Sequence, residues 1–210
     1  MEPPPGDAAV CARSVRQGRP RATSRAELER LGFELFAERG FDHTTVDDIA
    51  AAANIGRRTF FRYFASKNDL VWGDFEEQLA RLDALLTAAD PATPMMDALR
   101  EAVVEFNRFD PAMVPWHRQR MALILGVPAL QADSALRYAS WRSLVTEFAA
   151  RRLGRPAFDL LPRLIGSTVL AACVTAYEQW LEDEDADLGE LLDLSVRQLT
   201  SGYRDLAVRG

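Results

Sequence analysis

Residues 44 to 70, TTVDDIAAAANIGRRTFFRYFASKNDL, constrain the chain more than any other stretch, because they spell a helix, a tight reversal and a second helix. Thr45 is placed to N-cap the first helix, with Asp48 three residues on completing an acidic capping box, and Val46, Ile49, Ala50 and Ala53 form its apolar stripe. Asn54 tolerates the left-handed backbone a sharp turn needs, Ile55 plugs the turn, and Gly56 is a permissive cap for the second helix. Phe60 and Phe64, four residues apart, give that helix its inner face and leave Arg57, Arg58, Thr59, Phe61, Arg62 and Tyr63 pointing largely outward. Between Asn54 and Lys67 stand three arginines, one lysine and no acid, in a chain of formal charge −6. A cationic helix start with Thr and Tyr among arginines suits phosphate oxygens and the acceptor edges of guanine.

The overall acidity does not oppose that reading. Residues 1 to 72 carry 11 basic against 10 acidic side chains, and residues 73 to 210 carry 14 against 21. The surplus acid therefore lies mostly beyond the ~8 to 10 Å over which salt lets charges act.

The stretch VDDIAAAANIGRRTFFRYFASKNDLVW, within residues 25 to 72, resembles the DNA-binding domain of the TetR family of bacterial repressors. Carried over position by position, the resemblance implies that Gly56, Arg57, Arg58, Thr59, Phe61 and Arg62 face the major groove and adjacent backbone, with Tyr63 and Lys67 on phosphates. The family usually has glycine where this chain has Asn54 and a small residue where it has Arg58, so no relative's operator sequence can be borrowed. The segments NRFDPAMVPWHRQRMALILGVPALQADSALRYASWR and YEQWLEDEDADL further resemble the mycofactocin-system regulator subgroup.

The expected architecture is all-α and TetR-like. It comprises a basic disordered arm over residues 1–23, a helix-turn-helix domain over 24–70, and a helical ligand-binding and dimerisation domain over 71–210. The arm holds Arg13, Arg16, Arg19 and Arg21 among prolines and glycines, and Gly18-Arg19-Pro20-Arg21 suits a minor groove. Ser24 and Glu27 make a capping box for a helix that stops at Gly40, and His43 is read as a turn residue. Ser66 caps a helix whose stripe, Leu70, Val71, Phe75, Leu79, Leu82 and Leu86, predicts one continuous element up to Pro91. Helices are then expected after Pro94, from Trp116 to Gly126, from Pro128 to Gly154, from Phe158 to Leu181 and from Leu188 to Leu206, with an acidic turn at 182–187.

No apolar run approaches the ~20 residues that cross a bilayer, and the N-terminus has no signal-peptide core, so the expected location is cytoplasmic. Two cysteines, Cys11 and Cys173, form no disulfide framework and match no metal spacing. Enzyme chemistry lacks its parts: two distant histidines, no nucleophile–base pair, no glycine-rich phosphate loop and no metal-ligand cluster. No cofactor is expected.

A regulator needs a sensor. Phe106, Trp116, Met121, Trp141, Phe148 and Tyr177 are bulky groups on neighbouring helices suited to an apolar cavity, with Asn107, Arg108, His117, Arg118, Arg120 and Arg137 as candidates for its mouth. Inward arginines would favour an amphipathic anion, for which the subgroup resemblance implies a long-chain acyl-coenzyme A. Inward Glu105, Glu147 and Glu178 would favour a hydrophobic cation. Leu191, Leu192, Leu199, Gly166, Ala171 and Ala172 offer a seam along which the last two helices would form a four-helix bundle with a second copy. The partners expected are thus double-stranded operator DNA, a small-molecule effector and a second protomer, with no membrane.

Overall fold

Ser24 Oγ accepts from Glu27 N and opens α1 (Arg25–Arg39), while the Glu27 carboxylate turns to Arg30, so only half of that capping box forms. Thr45 and Asp48 complete theirs, each side chain taking the other's backbone N–H, and start α2 (Val46–Ala52). Asn54 adopts φ +53° in the reversal, and α3 (Arg57–Phe60) follows as a single turn, extended through Phe64 by bonds such as Tyr63 N to Phe60 O. The second helix is therefore shorter than the phenylalanine spacing implied. Ser66 caps α4 (Lys67–Trp72). The computed structural model describes residues 23–203, with side chains through residue 200, so the basic arm and Cys11 lie outside the described residues.

The expected continuous helix from Lys67 to Pro91 is broken. Gly73 takes φ +64°, a conformation that costs glycine little, and Asp74 then caps a separate α5 (Phe75–Ala88) by accepting from Glu77 N. A local Gly-Asp pair overrides an apolar stripe that keeps its period across the break.

Beyond it come α6 (Met95–Phe106), a 3-10 turn at Pro111–Met113, α7 (Val114–Gly126), α8 (Pro128–Leu153), α9 (Leu160–Glu182) and α10 (Leu188–Tyr203). No strand occurs among the described residues. Two apolar cores result. The first joins Leu28, Phe33, Ile49, Phe60, Phe64 and Leu70 to Ile124 of α7 and Leu130 of α8. The second packs Leu82, Leu99, Val145, Ile165, Val169, Leu192 and Val196 between α5, α6, α8, α9 and α10. Since α7 contributes to the first core, the N-terminal helices rest on the larger unit.

Gly166 belongs inside the protomer and not on an exposed seam. A Cβ there would stand 2.2 Å from Thr146 Oγ1 and 3.0 Å from Arg142 O, so its missing side chain lets α8 and α9 cross closely. Leu192 is likewise fully buried in the protomer. The exposed large apolar side chains of this region are Phe158 in the α8–α9 loop, Leu160 and Leu164 on α9, with Ala171 on the same side of that helix, and Leu194 on α10.

α9 also corrects the reading that no run reaches bilayer length. Its 23 residues include an 18-residue window of mean hydropathy 1.4. Ile165, Val169, Cys173, Ala176 and Trp180 pack one face of it into the second core, while Leu160 and Leu164 on another face are exposed.

Candidate nucleic-acid interface and effector cavity

The α2–α3 pair presents its cations as the residue pattern implies. Phe60 and Phe64 are buried, and their burial turns Arg57, Arg58, Phe61 and Arg62 outward, with Thr59 half-buried beside them. Phe61, 43% exposed, lies 5.5 Å below the Arg57 guanidinium, an aromatic left in water between cations. Arg57 is not free: its Nη1 donates to Asp47 Oδ2 on α2 at 2.9 Å. Gly56 has an ordinary φ of −79°, and nothing within 4 Å would obstruct a Cβ on it. Folding therefore does not demand a glycine there.

Two residues expected on phosphates have internal work. Tyr63 Oη donates to Thr23 O at 2.6 Å, fastening the start of α1, so its hydroxyl proton is already committed. Lys67 Nζ donates to Phe41 O at 2.6 Å and Thr44 O at 2.8 Å and sits 4.0 Å from the centre of the Phe41 ring. Partial burial lowers its pKa. One of its three N–H groups remains for any phosphate. Lys67 is thus first a stitch between α4 and the α1–α2 turn.

Beneath this head the larger unit holds a cavity of about 200 Å³. Of the expected sensor residues, Phe106, Met121, Trp141 and Tyr177 line it. Trp116 and Phe148 are not on its wall: the Trp116 ring packs 4.3 Å from Phe33 of α1, and Phe148 is core beneath the Arg152 guanidinium. Among the mouth candidates, Asn107, His117 and Arg120 line the cavity. Arg118 instead donates to Trp180 O and Asp183 O at the end of α9, Arg108 pairs with Glu105, and Arg137 pairs with Asp69 and Asp133. The glutamate alternative loses its premise, because Glu147 and Glu178 are exposed and none of the three glutamates lines the wall. Sequence reasoning missed Trp72, Phe75 and Tyr138, which line the cavity from α4, α5 and α8; the break at Gly73 that turns the first two inward is their only local signal.

One polar relay crosses the wall. Tyr177 Oη donates to Asn107 Oδ1 at 2.6 Å, so the His117 Nε2–H must donate to Tyr177 Oη at 2.8 Å, and Asn107 Nδ2 closes the chain on Val103 O. That network assigns His117 to the neutral Nε2–H tautomer. Burial, assisted by the Arg120 charge, holds its pKa down to about 4. Burial also raises the Tyr177 phenol and pushes the Cys173 thiol up to about 12, leaving a protonated sulfur in the wall.

The two parts are joined by ion pairs. Arg120 Nη2 meets Glu29 Oε2 of α1 at 2.7 Å, and Arg137 Nη2 meets Asp69 Oδ1 of α4 at 2.5 Å. Arg25, beside Glu29, donates Nη2 to Gly73 O at 2.7 Å and Nη1 to Tyr63 O at 3.3 Å, holding the helix break against the end of the reading turn.

Two family models match this chain: bacterial regulatory proteins of the tetR family over residues 30–71, and the MftR C-terminal domain over residues 93–204. A protein of Mycobacterium tuberculosis that bears the name of a mycofactocin biosynthesis transcriptional regulator, MftR, is 46% identical over 187 residues, covering 89% of this chain and 94% of its own. The transcriptional regulator TcmR of Streptomyces glaucescens is 31% identical, over 84% of this chain and 81% of its own. The solved structure of Thermus thermophilus FadR, a TetR-family repressor in complex with lauroyl-CoA, superposes with a TM-score of 0.56 at 22% identity, covering 85% of this chain and 94% of that one, a likeness of fold. With a matched reading head, a matched C-terminal domain and regulators rather than enzymes as relatives, the chain belongs to the TetR family of DNA-binding bacterial transcriptional regulators, in the branch that carries the MftR C-terminal domain.

Proposed function

We propose that the chain is a cytoplasmic, ligand-responsive repressor that binds a palindromic operator as a homodimer and is released from it by an amphipathic anion of the acyl-coenzyme A class. In this reading residues 24–70 form the head and 71–210 the sensor. Arg57, Arg58, Thr59, Phe61 and Arg62 meet base edges and adjacent backbone, Gly56 allows close approach to a phosphate, and Tyr63 and Lys67 support the edge of the contact. Exposed Leu160 and Leu164 on α9 and Leu194 on α10 support pairing of these helices with a second copy. A two-fold dimer would set two heads ~34 to 36 Å apart, one turn of duplex.

The observation that carries the ligand class is the cavity wall, in which Arg120 is the one formally charged side chain among the described residues and no acid is present. An apolar tail with an anionic end satisfies such a wall; a cation does not. At about 200 Å³ the cavity falls below the ~300 to 1,000 Å³ usual for ligand sites. A long tail must therefore push Trp72 and Phe75 outward, and these residues flank the Gly73 break beneath the head.

The test begins with duplexes selected by the full-length protein from a random pool. A palindromic site bound by two protomers, with affinity lowered at least ~fivefold by saturating lauroyl-coenzyme A, is the expected result. One protomer per site, or an affinity indifferent to this ligand, overturns the reading.

A further inference from the structure

The charged group of the cavity is also a strut of the head. We infer that Arg120 is the coupling residue of this regulator: an effector anion and the Glu29 carboxylate compete for one edge of its guanidinium, so ligand entry frees the clasp that seats the reading turn. The inference rests on the effector reading above and specifies how that site is regulated.

Arg120 lines the cavity from α7, and its side chain is only 19% exposed. Glu29, 15% exposed, takes Nη2 alone, while the neighbouring Nε is buried with no hydrogen-bond partner. A carboxylate or phosphate from the cavity side could accept from both Nε and Nη2 in the two-toothed geometry that guanidinium groups favour, where Glu29 engages one. The present arrangement leaves a donor unsatisfied that an incoming oxyanion would satisfy.

The consequence travels through charges in contact. Glu29 Oε1 lies 3.5 Å from Arg25 Nε, and Arg25 holds the carbonyls of Tyr63 and Gly73, at the end of the reading turn and at the helix break. Gly73 is itself in the path of Arg120, for a Cβ there would meet Nη1 at 2.5 Å. When the anion takes Arg120, Glu29 is left to Arg25 alone. The Arg25 fork then shifts toward Glu29 and loosens its hold on the two carbonyls. Arg137 and Asp69 make a second bridge between the same parts, but Arg137 does not line the cavity, so no ligand competes for it directly.

The experiment measures operator affinity of the full-length protein without ligand and with saturating dodecanoate, lauroyl-coenzyme A and dodecanol, with calorimetry reporting ligand binding separately. Dodecanol has the tail and lacks the charge. In the unmodified protein either anion should weaken operator binding within the ~5- to 150-fold range of allosteric coupling, and dodecanol by about twofold or less. In Glu29→Gln, an isosteric change, both anions should still bind while their effect on the operator falls to about threefold or less. Arg120→Gln should lose affinity for the anions and keep it for dodecanol, and thermal melts confirm that each variant is folded. Undiminished release from folded Glu29→Gln overturns the coupling role while leaving the effector reading intact, whereas equal release by dodecanol and dodecanoate overturns both the coupling role and the requirement for an anionic end. Failure of all three compounds to bind the unmodified protein removes the effector reading and the coupling role with it.

Discussion

Asp47→Asn should strengthen operator binding, although Asp47 is not a DNA contact in the proposed reading. Its carboxylate holds Arg57 at 2.9 Å, and the two side chains are 63% and 61% exposed. A pair so exposed is worth ~0.2 to 1 kcal/mol, and Arg57 must give it up before its fork can reach a base or a phosphate. Removing the acid abolishes that cost, for a gain of ~1.4- to fivefold per head and up to ~25-fold for a dimer using both. The gain should shrink as salt rises, because screening weakens the same pair in the free protein. Fluorescence anisotropy with a labelled selected duplex, repeated at several salt concentrations, measures this directly. A random duplex separates a general charge effect from a specific one. If Asp47→Asn binds its operator more weakly, the acid is instead aiming Arg57 in its DNA-bound pose, and the reasoning fails.

Two further predictions concern residues whose roles the structure redefines. Unfolded His117 takes up a proton near 6.5 and the folded residue only near 4, so stability should be full above pH 6.5 and fall as acid is added through that window, by a total on the order of 3 kcal/mol. His117→Gln should flatten the melting temperature between those pH values relative to the unmodified protein, and parallel curves would refute the assignment. Lys67→Met should take the ammonium away from Thr44 O and leave Phe41 O with only the Thr44 N–H, costing ~1 to 3 kcal/mol and lowering the melting temperature by several degrees before any DNA is added. A melting temperature unchanged within about one degree would return Lys67 to a purely phosphate-facing role.

The legible part of the chain is local. The Thr45–Asp48 box, the left-handed Asn54, the buried Phe60 and Phe64, and the Gly154 stop each depend on a few adjacent residues, and each forms as their chemistry requires. The illegible part depends on partners far along the chain. Glu29 and Arg120 stand 91 residues apart, and neither differs in composition from an ordinary surface charge. Gly166 and Leu192 look like seam residues because small and apolar groups suit any helix contact; only the placement of Thr146 and Arg142 shows that α8 fills the gap at Gly166. Trp116 and Phe148 have the bulk expected of cavity residues, yet bulk alone does not tell a wall from a core, and they lie in the head junction and the interior. The Gly73-Asp74 break is visible in the residues, but the regular stripe across it points the other way, and the strong local stop prevails over the long-range period.

The reading turn has four helical residues, too few to hold together by themselves. Its position depends on two rings beneath it, whereas Arg57, Arg58, Phe61 and Arg62 scarcely touch the interior. Mutations on the outer surface should therefore drift almost freely, since exposed substitutions usually change stability by within about 0.5 kcal/mol. The target site can therefore be rewritten through changes the fold hardly registers, whereas truncating either ring that carries the turn would unseat it.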